Sequence, residues 1–169
     1  MRVAVFDIDG VLADCRHRLH FAEEKDYDRF YGDSYMAGDE CILAGFELLF
    51  GFIKQGYMIA FMTGRPEKTR KITQEWLKMY LPDDLHYAIA NVFMRKDGDY
   101  RPSPIVKEEL MADVFAKFPE YEDGWWFIDD DPENVFAVCE LNPEIVGLTF
   151  GIARFKKGKD YEKGNSRKD

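Results

Sequence analysis

The stretch FDIDG, residues 6–10, places Asp7 and Asp9 one residue apart, directly after the apolar run VAVF. A charge at the end of a dry strand is costly to desolvate. Either a cation sits beside the pair, or one carboxylate does work that needs partial dryness. A second acidic run, Asp129, Asp130 and Asp131, follows the apolar GWWFI. Thr63 follows YMIAFM, and Lys107 lies near the start of IVKEELMADVFAKF. A hard divalent cation such as Mg2+ prefers carboxylate, carbonyl and water oxygens. The acids near Asp7 and near Asp129 would supply that shell. With phosphoryl oxygens neutralised by the metal, Asp7 is a candidate nucleophile and Asp9 a candidate general acid and base. Thr63 offers a hydroxyl donor, and Lys107 a fixed positive charge where negative charge accumulates.

These groups need elements to hold them. RVAVF (2–6) is short, apolar and valine-rich, as a buried parallel strand is. Residues 14–38, mixing charges with aromatics, form an insert over the strand end. Residues 39–56 predict a helix with Ile42, Leu43, Phe46, Leu49, Phe50 and Ile53 on one face. YMIAFM (57–62) is a second strand. Pro66 opens a helix running to about Tyr80, with Ile72, Trp76 and Met79 inward. HYAIANVFM (86–94) reads as a third strand, and Asp97–Gly98 as a turn. Residues 105–118 are helical, 124–128 a strand, PENVFAVCELN a helix and 144–150 the last strand. Strand and helix alternate, which predicts an α/β fold with a mostly parallel sheet covered on both faces. Ligands bind beyond the carboxyl ends of such strands, where Asp7, Asp9, Thr63 and the Asp129–Asp131 run all fall.

The 169 residues suit one domain. An apolar share of 46% with 33% charged residues suffices for a core. The net charge of −9 excludes an extended basic surface for nucleic acid, although a local positive pocket remains compatible with a phosphate. Cys15, Cys41 and Cys139 are widely spaced, odd in number and without CxxC. That argues against a disulfide framework or thiolate zinc site and for a reducing, cytoplasmic setting. No window has the ~18 uncharged apolar residues of a membrane span, so no membrane partner is expected.

VAVFDIDGVL, MTGR, VKEEL and WFIDDDPENV, in that order, resemble the four motifs of the haloacid-dehalogenase (HAD) superfamily of phosphohydrolases. The first motif is specific; Thr63 and Lys107 gain force only from order and spacing. The resemblance implies a Rossmann-like three-layer sandwich over residues 1–153, with 14–38 a small cap insert and 154–169 a polar tail. It implies Asp7 as nucleophile, Asp9 as general acid/base with its main-chain carbonyl on Mg2+, and Thr63 and Lys107 as the phosphate-binding pair. Asp130 matches the main acidic metal ligand, supported by Asp129. MTGRPEKTRKITQEWL and RKDGDYRPSPIVKEEL further resemble the phosphatase domain of the phage polynucleotide kinase/3′-phosphatase family. On that match Gly64, Arg65 and Arg18 fall at substrate-binding positions. Two residues depart from it: Ser103 stands for an aspartate, and Asp131 for an arginine. No G-x-x-x-x-G-K-[ST] of a kinase half occurs in this sequence.

The expected activity is a Mg2+-dependent phosphomonoesterase acting on a nucleic-acid 3′-end or a nucleotide. Arg95 and Arg101 are further phosphate candidates, and Tyr27, Phe30 and Tyr31 are candidates for base stacking. The alternatives are a 5′(3′)-deoxyribonucleotidase or another small-metabolite HAD phosphatase. Outside that class stand a phosphorelay receiver and a silent binding module. A receiver would carry its second acid before the lysine, the reverse of the order here. A silent module would have no use for Asp9. The 14–38 insert is short for a full cap, so the cleft should be open.

Overall fold

The computed structural model describes residues 2–120 and 124–151. In chain order the elements begin with β1 (Arg2–Phe6), β2 (Ala13–Asp14), α1 (Leu19–Glu23), α2 (Tyr27–Phe30), α3 (Asp33–Met36) and β3 (Glu40–Cys41). There follow α4 (Leu43–Lys54), β4 (Tyr57–Pro66), α5 (Arg70–Tyr80) and β5 (Val92–Arg95). The chain continues through α6 (Ser103–Lys117), β6 (Trp125–Asp129), α7 (Pro132–Leu141) and β7 (Ile145–Thr149). The five long strands form one parallel sheet in the order β5-β4-β1-β6-β7. β1 is its centre, which is why RVAVF reads as apolar on both sides.

The alternation of side chains along β1 divides the core in two. Ala4 and Phe6 pack with Phe46, Leu49 and Phe52 of α4 and with Trp76 and Leu77 of α5. Val3 and Val5 face Val106, Leu110 and Val114 of α6 and Val138 of α7. The result is the three-layer α/β sandwich expected. The chain winds outward from β1 through β4 to β5, then returns past β1 to β6 and β7. The order reverses beside β1, so the crevice at its carboxyl end lies where such sheets bind ligands.

Several local expectations are corrected. Residues 86–91 are not strand: Asp83–Asn91 is 3₁₀-helical and the strand starts at Val92. Leu85, Ala88 and Ile89 are buried together, a three-and-four spacing that an apolar run conceals. Helix α4 begins at Leu43, because Glu40 and Cys41 pair with Asp14 and Ala13. That ribbon is a stem for the insert, which holds three short helices. The buried face of α4 is Gly45, Phe46, Leu49 and Phe52, while Leu43 and Phe50 are exposed. Pro66 ends β4 instead of opening a helix, and a 3₁₀ turn at Glu67–Thr69 precedes α5. That turn changes the helix phase, so Thr73, Trp76 and Leu77 point inward and Met79 outward. The boundary at residue 153 and the tail 154–169 lie outside the described residues. All three cysteines are free. Among the described residues, no helix is long and apolar enough to cross a membrane.

Two glycines of α4 make opposite predictions. A Cβ at Gly45 would meet the Val11 carbonyl oxygen at 1.9 Å, whereas one at Gly51 would meet nothing within 4 Å. Alanine is favoured over glycine inside helices by about 1 kcal/mol, and overpacking costs about 1–3 kcal/mol. Gly51→Ala should raise the urea midpoint, and Gly45→Ala should lower it. Shifts of the same sign would refute the close approach of α4 to residue 11.

Candidate active site

Asp7 follows β1 and Asp129 ends the neighbouring β6. Between them lies the ammonium of Lys107, delivered from the first turns of α6. Its Nζ is 2.7 Å from Asp7 Oδ1 and 3.1 Å from Asp129 Oδ2, and donates to the Met62 carbonyl at 2.9 Å. All three residues are buried. Burial opposes the lysine charge, yet Asp129 and Asp7 hold its pKa above the ordinary value. The approach of Lys107 to Asp7 is close but poorly aligned, so Asp7 Oδ1 has no hydrogen-bond partner. Burial raises the pKa of Asp7 well above the ordinary carboxylate range, with Asp129 adding repulsion and Lys107 opposing.

Asp129 is fixed by its neighbours. Asn134 of α7 donates to both of its oxygens at 3.0 and 3.1 Å, and the Asp131 amide donates at 2.9 Å. Asp130 stands exposed in the lining of the cleft, its pKa pushed up to about 6 by partial desolvation there and by Asp129. Gly10 makes its placement possible. Its φ is +84°, and a Cβ there would meet the Asp130 carboxylate at 2.1 Å. Carboxylate oxygens of Asp7, Asp129 and Asp130 lie within 4.8 Å of one another. Three carboxylates share one lysine. This oxygen-only donor set fits a hard dication.

The Asp9 side chain stands apart from that cluster. Arg18 Nη2 donates to Oδ1 at 2.7 Å, while Arg65 donates to Oδ1 at 2.6 Å and to Oδ2 at 3.0 Å. The same two arginines grip Asp39: Arg18 at 2.7 and 2.8 Å, Arg65 at 2.7 Å. Both guanidiniums are fully buried. Arg18 also donates to the Phe30 carbonyl, and the Trp76 indole donates to the Asp39 carbonyl. Although Asp9 is desolvated, Arg65 and Arg18 hold its carboxyl down to about 2.

The expected substrate arginines are thus committed to carboxylates behind the cleft wall. Thr63 is also fully buried, and its Oγ1 accepts from the Arg65 amide at 3.2 Å. Gly64, Asp7, Asp9, Lys107 and Asp130 do line the cleft, a space of about 900 Å³. Asp131 caps α7, accepting from the Glu133 amide at 2.9 Å. Sequence reasoning missed Asp39, Asn134 and the role of Trp76. The spacing of Asn134 five residues after Asp129 is a signal that could have found the second; Asp39 carried none.

A parallel sheet of this order, with paired acids after its central strand, a lysine between them and acids at the end of the next strand, defines a HAD-like hydrolase. The chain belongs to the polynucleotide kinase PNKP phosphatase domain family, whose profile matches residues 1–135. Among solved structures, a chain of the Pnkp1/Rnl/Hen1 complex aligns at 21% identity and a TM-score of 0.64, covering 91% of this chain and 47% of that one. A haloacid dehalogenase-like hydrolase from Streptococcus pneumoniae aligns at 12% identity and 0.58, covering 83% and 80%. The class C acid phosphatase from Bacillus anthracis aligns at 14% and 0.52, covering 77% and 53%. At these identities the likeness is one of fold. This chain thus spans less than half of the Pnkp1/Rnl/Hen1 chain it matches. No curated protein sequence matches.

The arginine–carboxylate lattice generates two predictions. Removing one partner of a buried ion pair typically costs about 3–5 kcal/mol, so Asp39→Ala should lower unfolding stability by roughly that amount in urea titrations. A loss below about 1 kcal/mol would mark the lattice as incidental. Asp9 has a folded pKa of about 2 against an ordinary 3.8. Its contribution is therefore fully present above pH 3.8 and disappears as pH falls through about 2. Melting curves between those limits should fall more steeply for the wild type than for Asp9→Asn.

Proposed function

We propose that this domain is a Mg2+-dependent phosphomonoesterase that works through an aspartyl-phosphate and acts on the 3′-phosphate of a polynucleotide end. The observation that carries the reading is Asp7 at the floor of the cleft, ion-paired to Lys107 and grouped with Asp129 and Asp130. Family membership supports the reaction class. The substrate rests on that family and on the likeness to a chain from a structure described as an RNA repair complex. Asp7, Asp130 and the Asp9 main-chain carbonyl would hold the magnesium, with Asp129 in support. Once bound, the ion would neutralise phosphoryl oxygens and lower the repulsion that raises the pKa of Asp7.

An Asp7 oxygen attacks phosphorus and the ester P–O bond breaks. The departing oxygen takes a proton from Asp9. Asp9 then removes a proton from water, which attacks the acyl phosphate and frees inorganic phosphate and Asp7. The arginines favour the second half of this cycle, because they keep Asp9 ionised. Donation in the first half requires the incoming phosphate dianion, whose negative charge offsets the arginines and raises the Asp9 pKa. Lys107 stabilises charge on the transferring group, and Gly64 offers a cleft wall without a Cβ. Thr63 acts from beneath, through the turn that carries Gly64 and Arg65.

Asp7→Asn should abolish turnover, since an amide is neither nucleophile nor good ligand. Asp9→Asn should lose about 10²–10⁴-fold on an alkyl phosphate and much less on p-nitrophenyl phosphate, whose leaving group needs no proton. Equal losses on the two would remove Asp9 from that role. Magnesium titrations should show a larger rise in the half-saturating concentration for Asp130→Ala than for Asp129→Ala; the reverse order would exchange ligand and support. A 3′-phosphorylated oligonucleotide should exceed a 5′-mononucleotide and a sugar phosphate in kcat/KM. A preference above about tenfold for either small substrate would overturn the 3′-end assignment and leave the phosphatase intact.

A further inference from the structure

Next to the cleft lies a second chamber of about 490 Å³, a size typical of small-molecule sites. It is lined by α2 of the insert and by the loop of residues 96–102, and it adjoins the cleft across Tyr31, Arg95 and Ser103, which line both. Its character differs from that of the acidic cleft. Lys68, Arg95, Lys96 and Arg101 stand against only three carboxylates, in a chain whose net charge is −9. Arg101 is committed to Asp99 and Glu109. Arg95 is instead anchored by main-chain carbonyls: Gly64 at 3.1 Å, Asp99 at 3.2 Å and Arg101 at 2.7 Å. Those bonds immobilise the guanidinium at the junction of the two spaces without cancelling its charge.

The chamber also presents two aromatic rings that the core does not use. Tyr100 is 79% exposed and Tyr27 42% exposed. Their centroids are 6.1 Å apart and the rings are inclined by 40°. At that spacing they touch, forming one continuous platform instead of two jaws. Two water-exposed tyrosines, from the insert and from the loop before α6, meet only here. Every nucleobase has a π-face, so such a platform takes any base.

We propose that this chamber holds the leaving-group side of the substrate, with the nucleobase attached to the scissile phosphate stacked on Tyr27 and Tyr100. The inference rests on the phosphatase reading above and adds a base-dependent subsite to it. Arg95 stands where the phosphate end and the base end of the substrate divide. The platform then selects base-bearing phosphomonoesters without selecting among bases.

The test compares kcat/KM for a 3′-phosphorylated dinucleotide and for the same molecule lacking its 3′-terminal base, under saturating magnesium. The wild type should favour the base-bearing substrate by about fivefold or more, the lower end of what base–aromatic stacking is worth in alanine substitutions. Tyr100→Ala and Tyr27→Ala should each pull that ratio toward one, and Tyr100→Trp should restore it. Tyr100 is so exposed that its loss leaves the core unchanged. A wild-type ratio near one, or a ratio unmoved in both alanine variants, overturns the subsite while leaving the phosphatase reading intact. Failure to release phosphate from any phosphomonoester overturns the phosphatase reading, and the subsite falls with it.

Discussion

Asp7 and Asp129 stand at the ends of adjacent strands in the driest part of the sheet, and the ammonium of Lys107 allows both to be there. Its placement requires α6 to run back along the sheet from the loop beyond β5, packed over β4 and β5, so that Lys107 reaches the ends of β1 and β6. The Met62 carbonyl accepts one of its hydrogen bonds and the two carboxylates share its charge. Isolated carboxylates in such a place would be protonated. The lysine offsets one charge of a cluster of three carboxylates, an environment suited to a cation next to a phosphate.

Around this pair the fold solves the same problem again with arginines. Arg18 comes from the insert and Arg65 from the end of β4; Asp9 follows the central strand and Asp39 closes the insert. Four charges from four stretches of chain meet behind the cleft wall, each guanidinium bridging both carboxylates. Breaking such a lattice is expensive because each survivor stays buried. The network ties the insert to the sheet through charge as well as through the β2–β3 stem.

Much of this was legible in the sequence, for a definite reason. The buried strands are short apolar runs, and the polar residues that end them must have partners, so FDIDG, MTGRP and WFIDDD announce both sheet and rim. The helix 39–56 and the strand 86–94 were misjudged because short apolar stretches carry no unique period; the stem and a 3₁₀ segment decided them. Arg18 and Arg65 were expected as substrate contacts, and the carboxylate of Asp39 that holds both was not foreseen. An acid after Met36, Ala37 and Gly38 has no motif around it, and only the folded chain brings it beside two arginines 47 positions apart in the sequence. Asn134 was missed although its spacing from Asp129 offered a signal: its amide matters because the start of α7 turns it back onto Asp129.

The insert is small, yet it is bolted to the catalytic floor. Arg18 cannot leave Asp9 without abandoning Asp39 as well, and Trp76 of the sheet-facing helix α5 holds the backbone at Asp39 from below. An insert anchored in this way is part of the wall and not a door. On the proposed function, entry and exit would then need no opening of the insert. Discrimination among substrates falls to the shape and charge of a mould that is already set before anything binds.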